Sequence, residues 1–298
     1  MINLVPHEAE SHLSWPGLLA AIEAGHRLPR AEIKDMLLYR DQDTLLDRAA
    51  WIDGLGALVK VATIHPGNAA LGKPTVNGAV SLFDNVTGEL TAIVDFHLVT
   101  KWKTAGDTLL SASRLARKDS TEFLLVGAGT VARSMVDAYR SMFPNARFSV
   151  WSRNRDSAAA MGHSVADDLE TAVGRADVIC TATMATEPLI KGDWLQPGQH
   201  IDLIGAYKPG MREVDDRAMS RARVFVDSRK TTIHHIGELM DPIASGAITE
   251  ADVVADFYDD PALYARRSAD EITLAKNGGG AHLDLMTASY IAACWARG

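Results

Sequence analysis

The segment FLLVGAGTVARSM, residues 123–135, constrains the fold of this chain more than any other segment does. An apolar run is followed by a glycine turn and a helical pattern, with the spacing Gly127-x-Gly129-x-x-Ala132. The first glycine permits a tight turn, the second lets the backbone approach a pyrophosphate, and the alanine allows close helix–strand packing. The helix N-terminus then offers N–H groups to phosphates. The segment predicts a dinucleotide site; the alternative is a glycine turn in an α/β protein that binds no nucleotide.

The glycine turn opens an alternation of short apolar runs and helical patterns that continues along most of the remaining chain. Such an alternation predicts a mainly parallel sheet covered by helices, and with the glycine turn it indicates an α/β fold with a Rossmann dinucleotide-binding domain. The predicted strands lie at Glu122–Val126, Arg147–Trp151, Asp177–Thr181, His200–Ile204 and Arg223–Val226.

The first hundred residues show a different sequence pattern, with β-branched or alternating runs in place of the strand–helix repeat. Asp84–Glu89 separates the last two of these runs and predicts a hairpin loop. Helical spacing predicts one helix from Thr104 to Arg117 and a second, apolar helix from Leu283 to Ala296. The predicted strands are TLLDRAAWI, ALVKVATI, GAVSLF and LTAIVDFHL.

The length of 298 residues corresponds to one or two domains of about 150 residues each. The change in the pattern of predicted strands and helices after Asp119 favours two domains. We predict a smaller α/β domain from residues 1–115 and 284–298, which the final helix completes. Residues 116–283 are predicted to form the Rossmann domain.

Composition excludes several classes of protein. The net charge of −8, from 30 basic and 38 acidic residues, gives no electrostatic reason to expect nucleic acid or an anionic membrane as a partner. No apolar run approaches the roughly 18 residues of a membrane span, and the N-terminus has no signal-peptide pattern. Cys180 and Cys294 lie in apolar stretches, which indicates a reducing, cytoplasmic location. The histidines and cysteines lack zinc-ligand spacing, so no metal is expected.

The end of the second predicted strand indicates which dinucleotide is bound. An NAD site usually carries an acidic residue there to bind the ribose 2′-hydroxyl. This chain has Ser152, Arg153 and Asn154 instead, followed by Arg155. A serine and arginines suit a 2′-phosphate, so NADP(H) is the preferred cofactor and NAD(H) remains open. The alternative is that the arginines belong to a solvated loop and both cofactors are accepted.

Six consecutive motifs resemble the ornithine cyclodeaminase/mu-crystallin family over nearly the full length of the chain, and most closely its Δ1-pyrroline-2-carboxylate (cyclic ketimine) reductases. The resemblance implies an N-terminal α/β domain for dimerisation and substrate, a Rossmann domain, and a site between them in a homodimer. The matching motifs are LVKVATIHPGNAALGKPTVNGAVSLFDNVTGELTAIVDFHLVTKWKTAGDTLLSASRLAR, LLVGAGTVA, ADVICTATMATEPLI, GQHIDLIGAYKPGMREVD, RVFVDS and ITLAKNGGGAHLDLM.

The resemblance also implies roles for individual residues. Lys60 falls on the family lysine that contacts the substrate carboxylate, and Lys103 replaces an arginine of the family motif, which keeps the charge but loses the planar fork. Gly278 lies on a late loop that approaches the substrate. The predicted cofactor-binding residues are Thr75, Gly127, Gly129, Thr130, Val131, Ser152, Arg153, Asn154, Thr183 and Asn277.

One departure from the family bears on the reaction. Ornithine cyclodeaminases carry an aspartate in a Gly-x-Asp-x-Pro-Gly segment, and this chain has Tyr207 at that position. A tyrosine with an ordinary pKa near 10 is a poor base at neutral pH. Reduction of a ready-made cyclic imine needs one hydride and one proton, so the tyrosine favours a reductase over a cyclodeaminase.

The sequence does not single out one group as the donor of the proton for that reduction. Asp107 is one candidate for the group near the imine nitrogen, and a water molecule is another. The alternative for Asp107 is a purely structural role, as an acid near a helix N-terminus that interacts with the helix dipole.

We therefore expect an NAD(P)H-dependent oxidoreductase that converts Δ1-pyrroline-2-carboxylate to L-proline, or its six-membered analogue Δ1-piperideine-2-carboxylate to L-pipecolate. Two alternatives stay open. One is a cyclodeaminase or amino-acid dehydrogenase of the same family, and the other is a non-catalytic protein that binds NADPH or another ligand.

Overall fold

A computed structural model describes residues 2–298 of the protein. The chain divides into two compact units. The first unit contains the residues up to Lys103 together with Gly280–Gly298, and the second contains Thr104–Gly279. The boundary at Lys103 falls inside a continuous helix, whereas the sequence pattern places it after residue 115. The functions that the sequence assigns to the two domains stay predictions.

In the first unit most strands follow one another directly, whereas in the second unit helices separate most of the strands. The strands are β1 (Asn3–Val5), β2 (Glu32–Arg40), β3 (Asp43–Ile52), β4 (Gly56–Ile64), β5 (Val76–Phe83), β6 (Leu90–Asp95), β7 (Glu122–Val126), β8 (Arg147–Trp151), β9 (Ser164–Val165), β10 (Val178–Thr181), β11 (His200–Leu203), β12 (Arg223–Val226) and β13 (Thr273–Lys276). The α-helices are α1 (Trp15–His26), α2 (Phe96–Leu115), α3 (Thr130–Met142), α4 (Arg155–Ala159), α5 (Leu169–Arg175), α6 (Asp216–Arg221), α7 (Arg229–Thr232), α8 (Gly237–Ala244) and α9 (Ala281–Trp295).

The sheet of the first unit has the strand order β1-β6-β5-β4-β3-β2. Its neighbouring strands are antiparallel except for β1 and β6, which are parallel. Burial alternates along β4, as expected for a strand with one face toward a core. Leu58 and Ala62 point to the buried face, and so does Lys60 between them. A lysine on the apolar face of a sheet needs a partner for its charge.

The helices α1 and α9 pack against each other in the first unit. Ser14 caps α1 by accepting a hydrogen bond from the Gly17 amide (3.3 Å), and the helix buries Leu18 and Ile22. A Cβ atom at Gly25 would lie 2.5 Å from Cγ of Met286 on α9, so the glycine allows the two helices to approach closely. The final helix thus belongs to the first unit, although more than 170 residues of the second unit precede it in the chain.

The predicted hairpin is present, but the helix after it begins earlier than predicted. Asp84 closes the hairpin loop, since its side chain accepts hydrogen bonds from two backbone amides of the loop, each at 2.8 Å. The run LTAIVDFHL is predicted as a strand, yet only its first half is one. The Asp95 side chain accepts a hydrogen bond from the Leu98 amide (2.7 Å), as a helix N-cap does, and α2 therefore begins at Phe96 instead of Thr104.

The sheet of the second unit has seven strands in the order β12-β13-β11-β10-β7-β8-β9, and every pair is parallel. The direction of strand order reverses between β7 and β10, where α/β proteins bind ligands beyond the carboxyl ends of the strands. This arrangement confirms the predicted α/β class with a Rossmann-type unit. The sequence pattern misses β9, which has two residues, and β13, whose four buried residues include Lys276.

Both cysteines, Cys180 and Cys294, are free and buried. Among the helices of residues 2–298, none combines the length and the apolar character that a membrane crossing requires.

Candidate active site

The predicted glycine turn lies between β7 and α3. Gly127 has a φ of +112°, which favours glycine, and its amide donates a hydrogen bond to the Trp151 carbonyl (2.8 Å). A Cβ atom here would lie 2.5 Å from the carbonyl oxygen of Ala182, so a side chain is also excluded sterically. A Cβ atom at Gly129 would instead enter open space, with no neighbour within 4 Å in the part of the chain that the structure describes. This geometry fits a pyrophosphate bound against the backbone.

The first turn of α3 supports the same interpretation. Gly129 is the N-cap of this helix and has no side chain to accept hydrogen bonds from the first amides. Those amides and the helix dipole favour an anion at this position. Thr130 and Val131, which are predicted cofactor residues, begin the helix. A cavity of about 370 Å³ extends from the turn, and its lining includes Gly127, Ala128, Trp151, Ser152, Arg153, Thr183 and Glu187.

The residues predicted to select the cofactor follow β8 and have different surroundings. Ser152 and Arg153 line the cavity. The Asn154 side chain caps α4 by accepting two backbone hydrogen bonds, at 3.0 and 3.2 Å. Arg155 forms an ion pair with Asp167. The structure therefore brings Ser152 and Arg153 to the cavity, whereas Asn154 shapes the turn and Arg155 is engaged elsewhere.

A buried carboxylate, Glu213, fixes the loops that follow β10 and β11. Its Oε1 accepts hydrogen bonds from the amide and the hydroxyl of Thr183, at 2.9 and 2.7 Å. Its Oε2 accepts hydrogen bonds from the amides of Gly205 and Ala206, at 2.7 and 3.4 Å. Because the Thr183 hydroxyl donates its proton to Glu213, its oxygen acts as an acceptor, and it accepts a hydrogen bond from the Ala185 amide (3.3 Å). Sequence reasoning identified Thr183 and missed the acid that orients it.

Two further buried charges lie around Glu213. Glu238 accepts hydrogen bonds from two consecutive backbone amides, beginning with that of Glu213, at 2.8 and 3.1 Å. Burial and the charge of Glu213 raise the pKa of Glu238 to about 7. The Lys276 ammonium donates to the carbonyls of Leu203 (2.9 Å) and Asn277 (3.0 Å). Burial lowers the pKa of Lys276, and the charges of Glu213 and Glu238 oppose that change.

The late loop after β13 contains the predicted residues Asn277 and Gly278. A Cβ atom at Gly278 would lie 2.3 Å from the Thr232 hydroxyl oxygen, so this position accepts only glycine without displacing its neighbour. The amide of Gly279 donates to the buried Asp227 carboxylate (2.5 Å), which also accepts from Thr232 (2.8 Å). The loop is therefore held in one path by a third buried acid that the sequence analysis did not identify.

Asp107 lies well inside α2, with a buried side chain. Since α2 begins at Phe96, the alternative of an acid near the helix N-terminus is wrong. Asp107 is one of the acids that oppose the lowering of the Lys276 pKa by burial. Its role in proton control stays a prediction.

The first unit contains its own cluster of charges. Lys60 on β4 lies directly opposite Arg48 on β3, and like charges at opposed positions repel each other. Between them, the buried Asp284 carboxylate lies 2.8 Å from the Lys60 ammonium and 3.7 Å from the Arg48 guanidinium. Lys60 also donates to the Thr100 hydroxyl (2.8 Å). Such a cluster suits a small organic anion, and a substrate carboxylate in particular.

Lys103 adds a third cation to this cluster. Burial lowers the pKa of Lys60, Asp284 opposes that effect, and the charges of Lys103 and Arg48 lower the pKa further. The structure thus brings together Lys60 and Lys103, the two predicted carboxylate-binding residues. Sequence reasoning left Arg48 aside, although a tight turn after Ile52 sets the register that opposes residues 48 and 60.

Two more residues from the sequence analysis have defined positions. Thr75 belongs to the first unit and precedes β5, where its carbonyl accepts a hydrogen bond from the His65 amide (2.8 Å). Tyr207 follows β11 and is 55% exposed, with the Lys208 ammonium 5.7 Å from its ring centre. The position that carries an aspartate in cyclodeaminases therefore holds an exposed phenol.

Within residues 2–298, no group of three or more histidine, cysteine, aspartate or glutamate side chains is arranged to hold a metal ion.

Comparisons with known proteins agree on one family. The sequence profile of the ornithine cyclodeaminase/mu-crystallin family matches residues 52–298. A Δ1-pyrroline-2-carboxylate reductase from Paracoccus denitrificans is 52% identical over 297 residues, which cover 96% of this chain and 94% of that protein.

Two solved structures share the fold. An archaeal alanine dehydrogenase dimer with bound NAD has a TM-score of 0.89 and 28% identity, and the match covers 99% of this chain and 96% of the other. A Thermococcus litoralis Δ1-pyrroline-2-carboxylate reductase in complex with NADH and L-proline has a TM-score of 0.89 at 24% identity, covering 99% of this chain and 98% of the other.

The raised pKa of Glu238 predicts a pH-dependent contribution to stability. Between the ordinary glutamate pKa of 4.5 and the folded value of about 7, the folded protein holds a proton that the unfolded chain has released. Raising the pH through this window therefore removes stability, by up to about 3 kcal/mol above pH 7. We expect the melting temperature of the wild type, relative to that of Glu238→Gln, to fall between pH 5 and pH 8.

The exposed Glu187 provides the control, since Glu187→Gln removes a carboxylate without changing a buried charge. Its melting temperature relative to the wild type should not vary over the same pH range. A constant difference between the wild type and Glu238→Gln would contradict the assignment.

Proposed function

The chain belongs to the ornithine cyclodeaminase/mu-crystallin family, and we propose that it catalyses the NAD(P)H-dependent reduction of a cyclic ketimine carboxylate. The substrate is Δ1-pyrroline-2-carboxylate and the product L-proline, with Δ1-piperideine-2-carboxylate as a six-membered second substrate. The observation that carries the proposal is the 52% identity to a Δ1-pyrroline-2-carboxylate reductase over nearly the whole length of both chains. The glycine turn and the cation cluster supply the two binding sites that this reaction needs.

The reaction converts a C=N bond to a CH–NH bond. A reduced nicotinamide, when bound at the glycine turn, would supply the hydride and become oxidised. The π electrons of the C=N bond move to nitrogen as the new C–H bond forms, and the nitrogen takes up one proton from water, directly or by way of Asp107. We assign the carboxylate of the substrate to Lys60 and Lys103 through charge-assisted hydrogen bonds, which would fix its orientation. Gly278 is assigned to the substrate, and Asp107 to the control of the proton.

The cofactor-binding roles rest on the second unit. The Gly127 turn and the first amides of α3 fit the pyrophosphate. Thr183, whose hydroxyl is oriented by Glu213, is assigned to the cofactor as a hydrogen-bond acceptor. Asn277 is assigned to the nicotinamide end, since Asp227 and Lys276 hold its loop in place. Thr75 is assigned a cofactor contact on the resemblance alone.

A second candidate is an amino-acid dehydrogenase. The archaeal alanine dehydrogenase is 28% identical to this chain and shares its fold over 99% of the length. Tyr207 favours the reductase over a cyclodeaminase, because a neutral phenol accepts a proton far less readily than the carboxylate it replaces. A protein that binds the dinucleotide without turnover is the remaining alternative.

The test is a spectrophotometric assay of the purified protein with NADPH and NADH. We expect oxidation of the reduced cofactor with Δ1-pyrroline-2-carboxylate and formation of L-proline. Lys60→Met should raise the KM for this substrate at least tenfold, because it removes one charge from the cluster that binds the carboxylate.

Other outcomes of this assay identify the alternatives. Ornithine converted to proline indicates a cyclodeaminase, and NAD reduction with alanine indicates a dehydrogenase. Tight cofactor binding without oxidation by any cyclic ketimine indicates a binding protein. As a control, Lys118→Met removes an exposed lysine from the loop before β7 and should leave the KM unchanged.

We further propose that NADPH is preferred over NADH. Ser152 and Arg153 line the cavity at the end of β8, where a hydroxyl and a guanidinium suit a 2′-phosphate. Glu187 also lines the cavity, and Arg155 is paired with Asp167, so the preference rests chiefly on Ser152 and Arg153.

Ser152→Asp tests this preference. The new carboxylate would repel a 2′-phosphate and could accept a hydrogen bond from a 2′-hydroxyl. We expect the ratio of kcat/KM for NADPH to that for NADH to fall at least tenfold, which corresponds to about 1.4 kcal/mol. Ser141→Asp at the C-terminal end of α3 adds the same charge as a control. An unchanged ratio in Ser152→Asp would refute the role of this strand end.

We propose a homodimer in which the edge strand β2 meets a second copy of the chain. Four consecutive apolar residues of β2, from Met36 to Tyr39, are between 47% and 72% exposed, and Trp51 on the neighbouring strand is 55% exposed. A nine-residue edge strand with this composition is an exposed pairing surface unless another chain covers it. A self-complementary surface is what a twofold dimer requires.

Leu38→Glu tests this interface by analytical ultracentrifugation. The wild type should sediment as a dimer, and the variant should dissociate at micromolar concentration because a charge enters the apolar contact. Val86→Glu alters an equally apolar side chain that is 87% exposed at a hairpin tip, and it should stay dimeric. A monomeric wild type would overturn the proposal.

The cytoplasmic location is proposed on the cysteines, since Cys180 and Cys294 are both unpaired and buried. Proteins of oxidising compartments more often pair their cysteines.

A further inference from the structure

We infer that Asp284 is a positioning residue for substrate binding: its carboxylate fixes the direction of the Lys60 ammonium and keeps that ammonium charged. The inference rests on the proposed function, since it assigns Lys60 the carboxylate of the substrate. It adds a residue for which neither the sequence motifs nor the reaction chemistry assigned a role.

The direction of the ammonium follows from its contacts. The side chain of Lys60 is buried, and its ammonium donates to Asp284 Oδ1 and to Thr100 Oγ1, each at 2.8 Å. An ammonium group has three donors. Two fixed acceptors therefore determine where the third N–H points. The ring of Phe96, 4.8 Å from the nitrogen, supports the cation on another side.

The charge of the ammonium also depends on Asp284. Burial lowers the pKa of Lys60, and Lys103 on α2 and Arg48 on β3 lower it further by repulsion. Asp284 on α9 is the anion that opposes these effects. His282, also on α9, does not help, because burial and neighbouring cations hold its pKa well below the ordinary value and leave it neutral.

The same cations act on Asp284 in return. Its carboxylate is completely buried, yet the charges of Lys60, Lys103 and Arg48 lower its pKa in spite of burial. The exposed Asp35 balances part of this charge by binding Arg48 (2.5 Å). The three cations outnumber the buried carboxylate, so the cluster keeps a net positive charge. Asp284 therefore stabilises the cluster, and the cluster still attracts an anion.

Stability alone explains this arrangement poorly. Removing a lysine and an aspartate from water costs several kcal/mol per ion, and an apolar pair of similar volume often stabilises a core as well or better. Asp284 Oδ2 is buried, and its contact with Arg48 Nη1, at 3.7 Å, is longer than a hydrogen bond. The arrangement instead gives what binding needs: a protonated amine held in one orientation.

The decisive variant is Asp284→Asn, which keeps the shape and removes the charge. We expect KM for Δ1-pyrroline-2-carboxylate to rise at least tenfold at pH 9 and much less at pH 6. This follows because Lys60 would lose its proton at a lower pH without its counter-ion. The alkaline limb of the pH profile, where kcat/KM falls with rising pH, should shift to a pH at least one unit lower. The affinity for NADPH should be unchanged.

Two matched variants separate charge from general disruption. Thr100→Val removes the other acceptor of Lys60 without changing any charge, so it should raise KM severalfold at every pH and leave the alkaline limb in place. Asp53→Asn removes an exposed carboxylate from the turn between β3 and β4 and makes the same change in net charge. Its alkaline limb should also stay where it is in the wild type.

A limb that does not move in Asp284→Asn, or that moves equally in Asp53→Asn, would overturn the role of Asp284. If Asp284→Asn does not fold, Asp284→Glu replaces it: the retained charge should preserve the limb while the displaced carboxylate raises KM, and an unchanged KM would count against the inference.

Binding of pyrrole-2-carboxylate, measured by calorimetry from pH 6 to pH 10, provides a readout without turnover. Turnover by the wild type decides the proposed function. The shift in the pH dependence of anion binding between the wild type and Asp284→Asn decides the role of Asp284.

Discussion

The Glu213 carboxylate accepts four hydrogen bonds from groups that follow two different strands, and the shape of the cofactor cavity depends on it. A carboxylate removed from water is costly unless hydrogen bonds or opposite charges replace its hydration. Parallel strands that end side by side offer such groups, because the loops after them carry unpaired backbone amides. Glu213 thus holds the two loops together, and the hydrogen bonds from the loops replace the hydration that its carboxylate loses on burial.

The same constraint operates in the first unit with the signs reversed. Lys60 lies on a buried sheet face, where a lysine is unfavourable without an anion. Asp284 supplies that anion from a helix that the chain reaches only after completing the second unit. The return of the final helix therefore has an electrostatic consequence as well as a packing one, since Gly25 and Met286 pack α1 against the helix that carries Asp284.

Sequence reasoning succeeded where the information was local. The spacing of Gly127 and Gly129 and the apolar runs of the parallel sheet depend on neighbours within a few residues, and both were recovered. The start of α2 was misplaced because a single side chain, Asp95, caps the helix within an apolar run that also suits a strand. Glu213 and Asp284 could not be identified in this way. Thr183 lies 30 residues from Glu213 and Lys60 lies 224 residues from Asp284, and an isolated acid in a sequence resembles any surface acid.

The net charge of −8 says little about what this protein binds. Charges on the surface are screened over roughly 8 Å at physiological ionic strength, whereas buried charges are screened much less. An anionic substrate that reaches the cluster around Lys60 therefore responds mainly to the nearest cations and to Asp284, not to the acidic exterior. The acid at position 284 matters more than the other acids because it lies at 2.8 Å from the ammonium and fixes both its charge and its direction.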